Sequence, residues 1–455
     1  MSATVTSLAE GRLDATLADG ADVFDLVDAE GGHVARRIYA DAGIHGFEQE
    51  RIFRRAWGFL AHESELPNPG DYVERQLAGE HVIVIRGDDG VVRAFLNSCR
   101  HRGMRLCRAD KGNASFLRCP YHGWSYGRDG GLVSVFAEEL YDPEHLDKST
   151  LGLIPVDQLD SYKGLVFGCW STETPPLAEF LGDMRFYLDI LVARTPAGSE
   201  VVGPPQVWEV HTNWKFATDN FTGDNFHLYT AHGSVAELGM LPPDPMSLAF
   251  GNLVHVQGGH VLHIVPGPPI PQAEFFGVPN DLRPLIEDTL NPLQAELARN
   301  HSFSVGTVFP NLSFMQVMVQ GSLDSPPTPF MSLRVWQPTG PTTTRVWSWL
   351  LVEKEASPEY RQATYEAYVR TFGPSGIFEQ DDMENWEECT RVNKGAVAQR
   401  HNLHHGMALH LPPDPDFVGP GTAWPGSYGE RTQLCFYDEW KRWITVAHPW
   451  AGERG

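Results

Sequence analysis

The chain has 455 residues, 42% of them hydrophobic and 20% charged, which suits two packed domains better than one. Its formal net charge of −23 argues against a nucleic-acid role, because neutralising a phosphate backbone needs clustered Lys and Arg. No window approaches the roughly 18–20 consecutive apolar residues of a membrane helix.

Residues 1–40 read as a mixed, partly helical lead-in. Met1 to Phe24 carries several acids and lacks a basic-then-apolar leader, so no secretory signal is expected. Six cysteines (Cys99, Cys107, Cys119, Cys169, Cys389, Cys435) are too sparse for a disulfide framework, and a reducing cytoplasm is expected. Residues 81–85 and 91–96 read as a β-hairpin around the turn Gly87-Asp88-Asp89-Gly90. Short β-rich runs continue to about Trp170, and Thr174-Pro175-Pro176 marks a boundary, giving a small all-β domain over 41–172. In the remainder, 173–455, the segment 265–271 is expected to be an irregular surface loop because of its prolines. Strands are expected at 303–308, 312–319, 330–336 and 345–352, forming an antiparallel sheet. Ser357-Pro358 supplies an N-cap and a first-turn proline for a helix to about Phe372, which Gly373-Pro374 stops. The fold class is α+β.

Cys99-Arg100-His101 and Cys119-Pro120-Tyr121-His122, seventeen residues apart, are the most informative residues of the small domain. Two Cys and two His can hold zinc, but C-x-H brings its ligands closer than zinc fingers do. Two loops that each give one Cys and one His suit a two-iron, two-sulfur cluster, with both thiolates on one iron and both imidazoles on the other. Neutral imidazoles in place of thiolates raise the potential above that of an all-Cys cluster. Gly123-Trp124-Ser125-Tyr126-Gly127 suits tight backbone packing around sulfides, while Cys107 lies outside the pattern and reads as a buried structural thiol.

A cluster alone does not explain the long remainder. In the segment 219–232, Asn220, Asp224 and His227 fall within roughly 60° of one another at about 100° per residue, one face of a helix. His232 falls about 140° from His227 on the same count, so a bend or helix end is predicted between the two histidines. Two histidines and a carboxylate on one face of an iron leave positions open for dioxygen. Asp224 is one source of the acid; the segment 376–386, which holds Asp381 and Asp382, is the better one. Taken alone, the histidines read better as core residues and the acids as a solvated helix face; the cluster motif in the same chain reverses that, because a cluster needs an acceptor.

Asn97-Ser98-Cys99-Arg100-His101-Arg102-Gly103 and Cys119-Pro120-Tyr121-His122-Gly123-Trp124 resemble the Rieske domain of ring-hydroxylating oxygenases. The extra loop cysteines and membrane helix of respiratory Rieske subunits are missing. The resemblance extends through Leu333-Arg334-Val335-Trp336-Gln337-Pro338 and Thr371-Phe372-Gly373-Pro374 to nearly the whole chain. It implies a helix-grip catalytic domain beside the Rieske domain, and a mononuclear non-haem Fe(II) held by His227, His232 and Asp382, with Asp381 the nearest competitor. It implies a trimer of large subunits, often with a small β subunit, supplied with electrons by a ferredoxin and an NAD(P)H-dependent reductase. Asp224 would link His122 of one subunit to His227 of its neighbour, and Asn220 would lie near the iron. The chain departs from its relatives at Asp219, where Glu is common.

By the same resemblance Phe226, Phe372 and Phe378 line a substrate cavity, though each also reads as core. An apolar cavity suits an aromatic hydrocarbon and its cis-dihydroxylation, since a desolvated carboxylate needs a paired cation. The competing readings are an oxygenase for an aromatic carboxylate, a monooxygenase or demethylase, and an electron-transfer protein with a degenerate second domain. Arg334 suggests a carboxylate clamp, yet its place in the strand alternation points it away from the pocket. His255, His260 and His263 read as pocket-facing or structural.

Overall fold

The computed structural model describes residues 11–142, 144–241, 244–267, 271–322 and 324–451. The start of the lead-in and positions 268–270 of the expected loop lie outside the described residues. The chain falls into two compact units, Phe53–Leu177 and the rest. Among the described residues no helix is long and apolar enough to cross a membrane.

The smaller unit is built from antiparallel strands. A four-stranded sheet runs Val92–Leu96, Glu80–Arg86, Asp71–Leu77, Lys111–Asn113. Glu80–Arg86 shows why its apolar run is continuous: Val82 and Val84 enter one core cluster with Leu60, Val73 and Val166, whereas Ile83 and Ile85 enter another with Phe95, Trp124 and Tyr126. A strand buried on both faces has no polar alternation to show. The expected hairpin is present, with Val82 opposite Leu96 and Arg86 opposite Val92. Gly90 takes a left-handed φ of 78° at its turn. Two three-stranded sheets complete the unit. One, Leu132–Ser134, Ser125–Tyr126 and Leu117–Arg118, carries the second Cys–His loop.

The larger unit is organised on a nine-stranded antiparallel sheet. His301–Val308, Leu312–Val319, Thr328–Gly340 and Thr343–Glu353 lie side by side in chain order. Four helices matter for the site: α1 (Trp214–Asn220), α2 (Pro358–Phe372), α3 (Glu379–Asn393) and α4 (Arg431–Thr445). Ser357 caps α2 by accepting from the Tyr360 N–H, with Pro358 in the first turn. Thr364, Ala367, Tyr368, Thr371 and Phe372 form its buried stripe at helical spacing.

Two sequence expectations differ from the structure. Val265 and Pro266 are not loop but finish the strand His260–Pro266, opposite Ser302 and His301. Proline is accommodated there as the last residue of the strand, where ladder bonding ends. Residues 41–52, grouped by sequence with the small domain, sit in the larger unit. The reason is Glu48, whose buried carboxylate accepts from the indoles of Trp214 and Trp440 and pairs with Lys215. A desolvated charge anchors its segment wherever its partners lie.

Candidate metal centres

The two Cys–His loops of the smaller unit share one backbone plan. Cys99 N–H donates to the Met104 carbonyl at 2.9 Å, and Gly103 N–H to the Cys99 carbonyl at 2.8 Å. In the second loop Cys119 N–H donates to Trp124 at 2.7 Å, and Gly123 N–H to Cys119 at 3.0 Å. Gly103 and Gly123 both adopt left-handed φ, 72° and 75°, which a side chain would oppose. Asn97 braces the first loop, accepting from the Leu106 and Cys107 N–H groups and donating to the Cys107 carbonyl.

These loops bring their side chains together. The His101 and His122 rings are 4.6 Å apart between centroids, and His101 stacks on Trp124 at 5.0 Å. Cys99 and Cys119 are buried, and the Tyr126 hydroxyl lies 3.3 Å from Cys99 Sγ. Burial pushes the Cys99 thiol up; Tyr126 opposes this and the adjoining Cys119 adds to it. His101 Nδ1 is buried with no protein partner. A paired set of thiols and a paired set of imidazoles, one with an orphaned nitrogen, fits a two-iron, two-sulfur cluster.

In the larger unit a second set converges. One ligand atom each from His227, His232 and Asp382 lie within 4.8 Å of one another. His227 Nε2 is 3.5 Å and His232 Nε2 3.4 Å from the same oxygen, Asp382 Oδ1. Ligand bonds of about 2.1 Å at angles of roughly 90–110° place donors about 3.0–3.5 Å apart, so the spacing fits one shared divalent ion. Asp381 lies behind instead, its Oδ2 3.2 Å from His232 Nδ1. The two neighbouring carboxylates thus face opposite nitrogens of one imidazole, and Asp382 is the one turned toward both histidines.

The local chain path differs from a single helix. α1 ends at Asn220, and Gly223 turns the chain with φ 126°. A short turn, Asn225–His227, and the helix Leu228–Ala231 follow, leaving His232 just beyond the helix with φ −101° and ψ 38°. The helix end expected between the histidines is therefore present. The shared helical face of Asn220, Asp224 and His227 is not, because the chain breaks at Gly223. They still meet: Asn220 Nδ2 is 3.4 Å from both Asp224 Oδ2 and His227 Nδ1. His227 Nδ1 contacts the Asp224 carbonyl and lies 3.5 Å from Asp224 Oδ2. Burial disfavours an imidazolium at His227, but Asp224 and Asp382 outweigh it and lift its pKa to about 9. This is a place that holds positive charge.

Asn220, Asp224, Phe226, His227 and Asp382 face an open cavity of about 430 Å³. Phe372 and Phe378 form an aromatic stack beside His232. Phe378 meets the His232 ring edge-on at 5.0 Å, and Phe372 stacks on Phe378 at 5.1 Å with planes 7° apart. Phe221, next to Asn220, is buried with its ring 5.0 Å from Trp336.

Arg334 is fully buried and paired with Glu379 at 2.7 Å. His260 and His263 are structural. His260 donates from Nε2 to the Phe180 carbonyl and accepts at Nδ1 from the Phe309 N–H, both at 3.0 Å. His263 Nε2 lies 2.8 Å from the Ser427 hydroxyl.

Residues 185–445 match the ring hydroxylating alpha subunit (catalytic domain) family, and residues 56–141 match the Rieske [2Fe-2S] domain. The chain belongs to the ring-hydroxylating alpha subunits. This alpha subunit is 34% identical over 444 residues to biphenyl 2,3-dioxygenase subunit alpha of Rhodococcus jostii, covering 93% of this chain and 92% of that one. It is 33% identical over 439 residues to an N,N-dimethyl phenylurea N-demethylase subunit alpha of Sphingobium sp., covering 94% and 95%. Naphthalene 1,2-dioxygenase from Rhodococcus sp., solved with indole bound, superposes with a TM-score of 0.88 at 45% identity, covering 90% of this chain and 94% of that one. Like other members of its family, the alpha subunit carries a Rieske cluster and a mononuclear iron.

Proposed function

We propose that this alpha subunit cis-dihydroxylates an aromatic hydrocarbon ring, using dioxygen and electrons delivered by a ferredoxin and an NAD(P)H-dependent reductase. The observation that carries the reading is the convergence of His227 and His232 on one oxygen of Asp382, with Phe378 and Phe372 stacked against His232. Relatives named for biphenyl and naphthalene oxidation support the substrate class.

In this reading His227, His232 and Asp382 hold the iron, and Cys99, His101, Cys119 and His122 hold the cluster. Iron bound by two histidines and one carboxylate keeps positions open and supplies the dioxygen chemistry. Phe378 and Phe372 offer flat apolar surface that excludes water beside that site and orients an arene by stacking. Arg334, beside Phe372, is already paired with Glu379 and does not offer a free counter-charge to an aromatic carboxylate.

In a trimer of large subunits with a small β subunit, Asp224 would link His122 of a second copy to His227 and so provide the path between the two metal sites. Two features support this route: Asp224 contacts His227, and its Oδ1 is buried without a partner. The six cysteines, all unpaired, fit a cytoplasmic enzyme.

Two measurements test the proposal. Iron analysis is expected to give about three irons per chain, two in the cluster and one in the catalytic site. Incubation with labelled dioxygen and a panel of naphthalene, biphenyl, benzoate and N,N-dimethyl phenylurea is expected to put both labelled atoms into the hydrocarbons. Turnover of benzoate or the phenylurea alone overturns the assignment. Asp224→Asn is expected to leave both metal sites loaded and abolish turnover; near-normal activity refutes the bridge.

A further inference from the structure

Arg334 rises from the strand Thr328–Gly340 into the space between sheet and helices, and neither it nor Glu379 is exposed at all. Its Nη1 is 2.7 Å from Glu379 Oε2, and its Nη2 donates to the Phe372 carbonyl at 2.9 Å. Phe372 is the last residue of α2 and Glu379 the first of α3. One guanidinium therefore ties both ends of the 373–378 connection to the sheet. Phe221, next to Asn220, and Trp336 pack on its faces at 5.2 and 5.5 Å. Asp382 follows Glu379 by nearly one helical turn, so both side chains project from the same side of α3. Burial pushes the Glu379 carboxyl up to about 7, Arg334 beside it opposes this, and Asp382 adds to it.

A fully buried ion pair is a poor way to gain stability, since apolar residues of similar volume often serve as well or better. Its worth must then lie in something charge does. We propose that Arg334 and Glu379 are positioning residues for the mononuclear metal. Arg334 fixes the start of α3, which sets Asp382 against His227 and His232. Glu379 places a second negative charge behind the ligands and strengthens their hold on a cation. Partners outside the ligand set commonly change metal affinity by about 10–100-fold. The inference rests on the reading of His227, His232 and Asp382 as the iron ligands.

The test uses the full-length enzyme with its cluster in place, following Fe(II) retention against a competing chelator, the visible spectrum of the cluster and the melting temperature. Glu379→Gln is expected to weaken Fe(II) retention by about 10-fold or more with the cluster spectrum unchanged. Glu379→Asp, which keeps the charge, is expected to recover most of that loss. The double variant Arg334→Met with Glu379→Leu is expected to melt close to the parent yet stay weak in iron. Retention by Glu379→Gln within about twofold of the parent overturns the proposal, as does a double variant that regains full affinity. If the double variant does not fold, the Gln and Asp variants decide between charge and shape. Asp382→Ala separates the two readings: if it retains iron like the parent, the ligand assignment fails rather than the positioning role.

Discussion

Asp381 and Asp382 are adjacent, chemically identical and opposite in what they touch. Asp382 Oδ1 faces Nε2 of both histidines, while Asp381 addresses the rear nitrogen of His232. A carboxylate behind a ligating imidazole fixes its tautomer and raises its basicity. Asp381→Asn is therefore expected to weaken iron retention by about tenfold but leave the site loadable, whereas Asp382→Ala removes it. Metal analysis that ranks the two the other way reverses the assignment. At His260 both nitrogens are committed to a neutral ring, and burial pushes its pKa down to about 4. An unfolded histidine titrates near 6.5, so the unfolded chain binds the extra proton first as pH falls. Stability from this group is complete above about pH 6.5 and lost toward pH 4, by about 2–3 kcal/mol at pH 4.5. Denaturant unfolding at pH 7 and 4.5 should show His260→Gln losing less stability over that interval than the parent.

Elements are set by short-range signals where those are strong, and by a single residue where they are not. Ser357 and Pro358 start α2 where the sequence said a helix begins. Removing the cap with Ser357→Ala is expected to cost about 1 kcal/mol of unfolding free energy, without effect on metal content. Gly223 is the opposite case. The periodicity of 220–227 reads as one helix, yet the chain breaks there with φ 126°, a conformation that L side chains rarely adopt. A Cβ would also stand 2.6 Å from Leu253 Cδ2. Gly223→Ala is expected to destabilise the unit by about 2 kcal/mol and to drop iron from about three to two per chain. Retention of the third iron shows that the turn does not place His227. The helix pattern was legible in the sequence. The place of the break was not, because the close approach that requires a glycine there comes from Leu253, a residue of the sheet.

At the scale of the whole molecule, the two metal sets lie in two separately packed units, each with its own sheets. The proposed route through Asp224 uses the cluster of one copy and the iron of another. Mixed assemblies of Cys99→Ala and Asp382→Ala chains are then expected to regain part of the activity that each lacks alone. Failure of mixed assemblies to recover, with oligomers formed, excludes transfer between copies.

The two Cys–His loops, the histidine pair as a candidate and four neighbouring strands of the larger sheet were legible in the sequence alone. Each rests on close spacing: Cys and His two or three residues apart, strands in chain order, a cap beside its helix. Contacts between distant segments were decided by tertiary structure. Packing turned Asp382 rather than Asp381 toward both histidines, stacked Phe372 on Phe378, buried Arg334 against Glu379, and drew residues 41–52 to the larger unit through Glu48. Each of those choices is a charge or a ring finding its partner across a long stretch of chain. Desolvation makes such pairings costly to misplace, but local spacing carries no trace of them.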